Sequence, residues 1–148
     1  MNRDRYKLES DKSLMLFEFA SIGPKGKIIK VVQFSEINYK NIYNLGFGDM
    51  NLETGKIDDT IITNNGDSQK VLATVASTIY LFTDKHPNVW IMAEGSNKVR
   101  TRLYRMGITN NLKEIKKDFE IYGLIEEDWY KFKIGEEYEA FLIKRKKH

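Results

Sequence analysis

The longest uncharged run of the chain, Val71–Thr83, is the feature that most constrains its fold. Within this run, Leu72, Val75 and Ile79 recur at the spacing of one helical face, and further apolar residues widen the stripe. The run is well short of the roughly 20 apolar residues that cross a bilayer. A helix that is apolar on most sides has to be covered by other elements. We therefore predict a central buried helix that packs on a sheet.

The residues that flank this helix mark both of its ends. The Asn-Asn-Gly-Asp stretch that ends at Asp67 offers side-chain oxygens for a helix N-cap. Pro87 stops the helix, and Lys85 and His86 stand where positive charge interacts favourably with the helix dipole. We interpret His86 as a helix-end residue and not as a catalytic one.

The N-terminal part of the chain follows the period of β-strands. Leu14–Ala20 and Ile28–Phe34 are apolar runs joined across a Gly-Pro-Lys-Gly turn. Residues 39–47 alternate between apolar and mostly polar or small side chains, as in a strand with one buried face. A turn with a positive φ at Gly55 then leads to a strand over Lys56–Ile62. This pattern predicts an antiparallel β-meander.

The chain changes character after the central helix. Val89–Ala93 is a continuous apolar run, typical of an interior strand. An Arg-rich helix is predicted from about Ser96 to Met106, because Gly107 is of the residue type that ends helices. Thr109 then caps a short third helix that runs to about Lys117. Three C-terminal strands are predicted over Phe119–Ile125, Trp129–Phe132 and Tyr138–Ile143.

This order of elements predicts an α+β fold with a single layer of helices on a sheet. Its parts are an N-terminal antiparallel β-meander, a central buried helix, a strand, an Arg-rich helix and C-terminal β-strands. No repeat or Pro/Gly-rich linker divides the chain, so we predict a single domain over residues 1–148. Residues 1–12 are polar, and we expect them to be loosely held.

Composition excludes several kinds of site. The chain has no cysteine and only two histidines, which excludes a disulfide framework, a thiolate metal site and a cysteine nucleophile. We accordingly predict no metal and no cofactor. The apolar run nearest to the first residues is too short for a signal peptide, so we expect none. We therefore expect a cytoplasmic protein without a membrane partner. The net charge of +3 is too small to identify a partner.

The most distinctive segment is Gly95–Met106, where a strand ends at a glycine and a helix opens at Ser96. A helix start directs free backbone N–H groups outward and favours anions. We expect Val99, Leu103 and Met106 to pack inward. The remaining long polar side chains then stay available for a ligand: Lys98, Arg100, Arg102, Tyr104 and Arg105. Guanidinium groups at such a position suit phosphate or carboxylate.

A structural alternative exists for these arginines. The segment from Asp118 to Glu139 is strongly acidic, and surface cations often form ion pairs with such a block. Composition alone favours this alternative over a binding site.

A second polar helix start lies at Asp67 and Lys70. If the two helix starts converge, Asp67 and Lys70 line one pocket with Arg100, Arg102 and Tyr104. The alternative is that Asp67 serves only as an N-cap.

Three functional hypotheses follow. The leading one is a non-enzymatic domain that binds an anionic partner, either phosphate-bearing or nucleic acid, through residues 95–105. The second is a small enzyme with a pocket between the two helix starts, in which Asp67 or Glu94 acts as acid or base. The third is a homodimeric structural or interaction module. Asp49 is a further carboxylate for which no spacing assigns a role.

Two segments, residues 64–75 and residues 95–106, carry a resemblance. The chain resembles a family of bacterial proteins of about 150 residues whose function is uncharacterised. In that family the position of Asn97 is often threonine. The resemblance implies a compact α+β domain, and it brings no activity, ligand or catalytic residue.

Overall fold

The computed structural model of the chain describes residues 4–37, 39–58 and 63–147. The described residues form nine strands and two helices. The chain divides into two compact units. The first consists of Met1–Ser35 and Gly46–Lys85, and the second of Glu36–Leu45 and His86–His148.

The first unit carries the predicted β-meander and the central helix. Its elements are β1 (Glu9–Ser10), β2 (Leu16–Gly23), β3 (Gly26–Glu36), the second half of β4 (Ile42–Met50), β5 (Ile57–Asp58) and α1 (Ser68–Lys85). The strands lie in the order β1-β2-β3-β4, and β5 pairs with β4. The β2–β3 and β4–β5 pairs are antiparallel, as predicted, and β1, which was not predicted, pairs antiparallel with β2.

Turn residues set the registers of this meander. Gly23 pairs with Gly26 at the end of the β2–β3 hairpin, and Gly26 has a φ of +87°. Gly55 has the predicted positive φ, +72°, in the turn before β5. Strand β4 begins at Ile42, later than the alternation that starts at Tyr39 suggests. Of the strand predicted over Lys56–Ile62, only Ile57–Asp58 is a strand in the described residues, and residues 59–62 lie outside them.

Helix α1 is buried on most sides, as predicted. Its buried residues include the whole run from Val71 to Thr78. Phe82, which is fully buried, stacks on Phe34 of β3 with ring centroids 4.3 Å apart. Burial of such side chains is worth about 2 kcal/mol each, so this packing holds the helix on the meander. Neither helix of the described residues is long and apolar enough to cross a membrane.

The second unit contains the remaining elements. They are the first half of β4, then β6 (Trp90–Ala93), α2 (Lys98–Asp118), β7 (Phe119–Ile125), β8 (Asp128–Lys131) and β9 (Phe141–Arg145). The strand order is β4-β6-β9-β7-β8. β4 and β6 are parallel, and the other pairs are antiparallel. With helices and a mostly antiparallel sheet, the chain has the predicted α+β fold.

The prediction of two helices after β6 was wrong. Helix α2 continues through Gly107 to Asp118, and Thr109 lies inside it. A glycine costs a helix only about 1 kcal/mol. Here the buried stripe continues past Gly107 through Ile108 and Ile115, and its packing offsets that cost.

Candidate functional site

A cleft of about 690 Å³ lies in the second unit beside the first turns of α2. One part of its lining comes from the end of β6 and from α2, and another from the end of β7 and from residues 137–139. Three basic side chains line it: Lys98, Arg102 and Arg105. Three acidic side chains line it as well: Glu94, Glu137 and Glu139. Its apolar lining is formed by Leu124, Ile125 and Tyr138.

The start of α2 is set by Gly95 and Asn97. Asn97 is the N-cap, and its side-chain oxygen accepts a hydrogen bond from the Arg100 N–H at 2.9 Å. A Cβ on Gly95 would lie 2.3 Å from the Thr101 nitrogen, so only glycine allows this close approach. The helix therefore begins at Lys98, later than the predicted start at Ser96. Ser96 is exposed and does not line the cleft.

The first turn of α2 gives the cleft a positive end. The N–H groups of its first residues, Lys98 and Val99, have no acceptor within the helix. The helix dipole adds partial positive charge at the same place. No carboxylate of the described residues pairs with Lys98 or Arg102. Arg105 donates from Nη1 to the carbonyl oxygen of Glu136 at 3.2 Å. Ion pairing with the acidic block thus does not account for these three cations.

The inward face of α2 differs from the prediction. Val99 is 78% exposed and Met106 is 41% exposed, so the expectation that they pack inward was wrong. Arg100 and Tyr104 are buried instead, and neither lines the cleft. The buried stripe of the helix is Arg100, Tyr104, Ile108, Asn111 and Ile115. Because α2 continues past Gly107, the buried residues of its C-terminal half also determine which face of its N-terminal half is buried.

One acidic residue of the cleft, Glu139, is held by the backbone. Glu139 accepts a hydrogen bond on Oε2 from the Glu126 N–H at 2.7 Å. Glu126 lies in the turn between β7 and β8, where Glu126 and Glu127 have φ values of +46° and +74°. Within the described residues, no cation pairs with Glu94 or Glu137.

Tyr138 anchors the apolar lining. It is 7% exposed, and its ring contacts the rings of Phe132 and Phe141 at centroid distances of 5.5 and 5.8 Å. The Lys133 N–H donates to its hydroxyl oxygen at 2.9 Å. The ring is therefore fixed on both its apolar and its polar side.

Asp67 and Lys70 lie in the first unit, within a local network. Oδ2 of Asp67 accepts hydrogen bonds from the hydroxyls of Tyr6 and Ser21, each at 2.6 Å. The Lys70 ammonium lies 4.3 Å from the centroid of the Tyr6 ring and 3.5 Å from a carboxylate oxygen of Asp4. Desolvation, and then the hydrogen bond to Asp67, raise the pKa of Tyr6. Neither Asp67 nor Lys70 lines the cleft of the second unit.

Sequence reasoning missed a buried ion pair in the first unit. Lys30 is fully buried and Asp49 is 7% exposed, and the Lys30 ammonium donates to the Asp49 carboxylate. The same ammonium donates to the Thr63 carbonyl at 2.8 Å, while the Thr63 N–H donates to Asp49 Oδ2 at 3.0 Å. The available signal was a lysine inside the apolar run of β3.

The part of the chain that the structure describes contains no group of three or more His, Asp or Glu side chains that could hold a metal ion. The fold and the cleft together are those of an α+β protein with a cleft that charged side chains line. Residues 2–146 match the family described as "Family of unknown function (DUF6934)", so the chain belongs to that family. No curated protein and no solved structure matches the chain.

Proposed function

We propose that the cleft binds a small anionic ligand that bears a phosphate group. The observation that carries this proposal is the pair Lys98 and Arg102 in a cleft of about 690 Å³, two cations that pair with no carboxylate of the described residues. Both project from the first turns of α2, where the helix dipole also favours negative charge. Charge-assisted hydrogen bonds from such groups bind phosphate strongly.

The composition of the cleft favours a small ligand over nucleic acid. A nucleic acid binds through a continuous basic surface that neutralises several phosphates. Here three glutamates line the same cleft as the three cations. Their charge opposes a polyanion that would fill the cleft, whereas a single phosphate group needs only the cations Lys98 and Arg102.

The proposal is tested by NMR titration of the full chain with inorganic phosphate. We expect phosphate to shift the amide signals around Gly95, Lys98 and Arg102, with an affinity that falls as sodium chloride is added. Arg102→Gln should weaken binding about fivefold or more, as expected for loss of a charge-assisted contact worth about 1 kcal/mol.

Lys113→Gln is the matched control. Lys113 is an exposed residue of the same helix outside the cleft, and its replacement removes the same charge. We expect this variant to bind phosphate like the wild type. An absence of amide shifts at millimolar phosphate, or equal loss in both variants, would overturn the proposal.

A catalytic role for Glu94 is the second candidate. Glu94 lines the cleft together with the cations, and a carboxylate beside a bound phosphate ester can act as an acid or base. Glu94→Gln should then retain phosphate binding and lose turnover of a chromogenic phosphate ester. If the wild-type protein turns over no such ester, this candidate fails while the binding proposal stands.

A further inference from the structure

The cleft contains opposite charges that do not neutralise one another. Glu94, Glu137 and Glu139 line it beside Lys98, Arg102 and Arg105, yet none of these acids forms an ion pair with any of these cations. Five of these six side chains are exposed, and an ion pair between exposed side chains gains little free energy. Their charges therefore remain available to a ligand.

Backbone groups hold two of these charged side chains. The Glu139 carboxylate is held by the Glu126 N–H, and the Arg105 guanidinium is held by the Glu136 carbonyl. These two charged groups are thus positioned by neutral partners. A neutral partner leaves a formal charge uncompensated, so the cleft offers both cations and carboxylates to a ligand.

The apolar lining indicates which kind of ligand group fits between the charged side chains of the cleft. Leu124, Ile125 and Tyr138 contribute carbon surface to the same cleft. Tyr138 is fixed by its ring contacts and by the Lys133 N–H, so this surface is preorganised. A short hydrocarbon segment packs on such a surface without loss of hydrogen bonds.

We infer that the ligand is a small zwitterion, with an ammonium group a few carbon atoms from its anionic group. This inference rests on the proposed function, since the anionic group is the phosphate that Lys98 and Arg102 bind. The ammonium group is recognised by Glu137 and Glu139. These glutamates also give specificity, because a ligand without a cation leaves their charge uncompensated beside a second anion.

Isothermal titration calorimetry on the full chain tests the inference with a matched pair of probes. Ethyl phosphate and aminoethyl phosphate differ only in the ammonium group. We expect aminoethyl phosphate to bind about fivefold more tightly, the factor that corresponds to one partly exposed ion pair of about 1 kcal/mol.

The double variant Glu137→Gln/Glu139→Gln should lose this preference while still binding ethyl phosphate. The control double variant Glu120→Gln/Glu127→Gln changes the charge equally at exposed glutamates outside the cleft. We expect it to keep the preference. Thermal unfolding of each variant establishes that it is folded.

The outcomes distinguish a failure of the zwitterion inference from a failure of the phosphate proposal. Equal binding of both probes by the wild type would overturn the zwitterion inference and leave the phosphate proposal intact. A preference that survives in the Glu137→Gln/Glu139→Gln variant would also overturn the inference. If neither probe nor inorganic phosphate binds, both proposals fail.

Discussion

The ring of Tyr138 lies directly on the backbone of Gly123. A Cβ placed on Gly123 would stand 2.2 Å from Cδ1 of Tyr138 and within 2.5 Å of two further ring atoms. Only glycine at this position of β7 allows the ring to reach its place in the cleft lining. The contact joins a residue of the sheet to a residue of the candidate site.

Gly123→Ala should therefore destabilise the protein. The ring cannot withdraw freely, since it packs on Phe132 and Phe141 and its hydroxyl is bonded to Lys133. Overpacking of this kind costs about 1–3 kcal/mol, which urea denaturation measures. Gly46→Ala is the control, because its Cβ would meet its nearest neighbours at 3.6 Å. A Gly123→Ala protein as stable as Gly46→Ala would contradict the steric argument.

The buried pair of Lys30 and Asp49 gives a second prediction. Lys30→Met leaves the Asp49 carboxylate buried without its cation, which costs about 3–5 kcal/mol of unfolding free energy. The double variant Lys30→Met/Asp49→Leu removes both charges and should be more stable than the single variant. Denaturant unfolding of both proteins measures the difference.

The exposed pair of Lys70 and Asp4 provides the control for this prediction. Its side chains are 35% and 84% exposed, so Lys70→Met should cost at most about 1 kcal/mol. Equal losses from Lys30→Met and Lys70→Met would show that burial of the first pair has no energetic consequence.

The fold could be predicted where local periodicity carries the information. The strands β2 and β3 and the helix α1 follow from apolar spacing and from turn residues such as Gly26. Helix α2 could not be delimited in this way, because Gly107 resembles a stop signal. What overrides it is burial of Ile108 and Ile115, an energy that exists only in the folded unit.

The candidate site was predictable from the sequence only around the start of α2, where Glu94 and the basic residues lie. Lys98, Arg102 and Arg105 stand on one helix, where their spacing is visible in the sequence. Glu137 and Glu139 come from a distant segment that folding brings to the same cleft. We predicted that Val99 is buried and Arg100 exposed, and the structure shows the reverse. The two residues are neighbours on the helix, so a rotation of the helix by one residue exchanges their burial.

Tyr6 gives a prediction about pH. Its pKa in the folded protein is raised above the ordinary tyrosine value of 10.0 by desolvation and by the hydrogen bond to Asp67. The stability that this raised pKa contributes is fully present below about pH 10 and is lost as the pH rises through the folded pKa. Tyr6→Phe should therefore be less stable at neutral pH and lose less stability as the pH rises above about 10.

Urea denaturation at several alkaline pH values measures this difference. Tyr39→Phe is the control because Tyr39 is 69% exposed, and it should keep the wild-type profile. Identical alkaline losses in the wild type and in Tyr6→Phe would contradict the assignment to Tyr6.

The turn between β7 and β8 gives the last prediction. Glu126 and Glu127 both have positive φ, in a two-residue hairpin that favours Asn-Gly. Glu126→Asn/Glu127→Gly should relieve about 1 kcal/mol of backbone strain and raise Tm by about 2–4 °C, and it keeps the N–H that Glu139 accepts. Glu53→Gly is the control: Glu53 lies in another exposed turn and is not among the residues with positive φ, so glycine there should lower Tm slightly. Differential scanning calorimetry measures the Tm of both variants. A lower Tm for the double variant would show that these glutamates stabilise the turn by contacts that outweigh its strain.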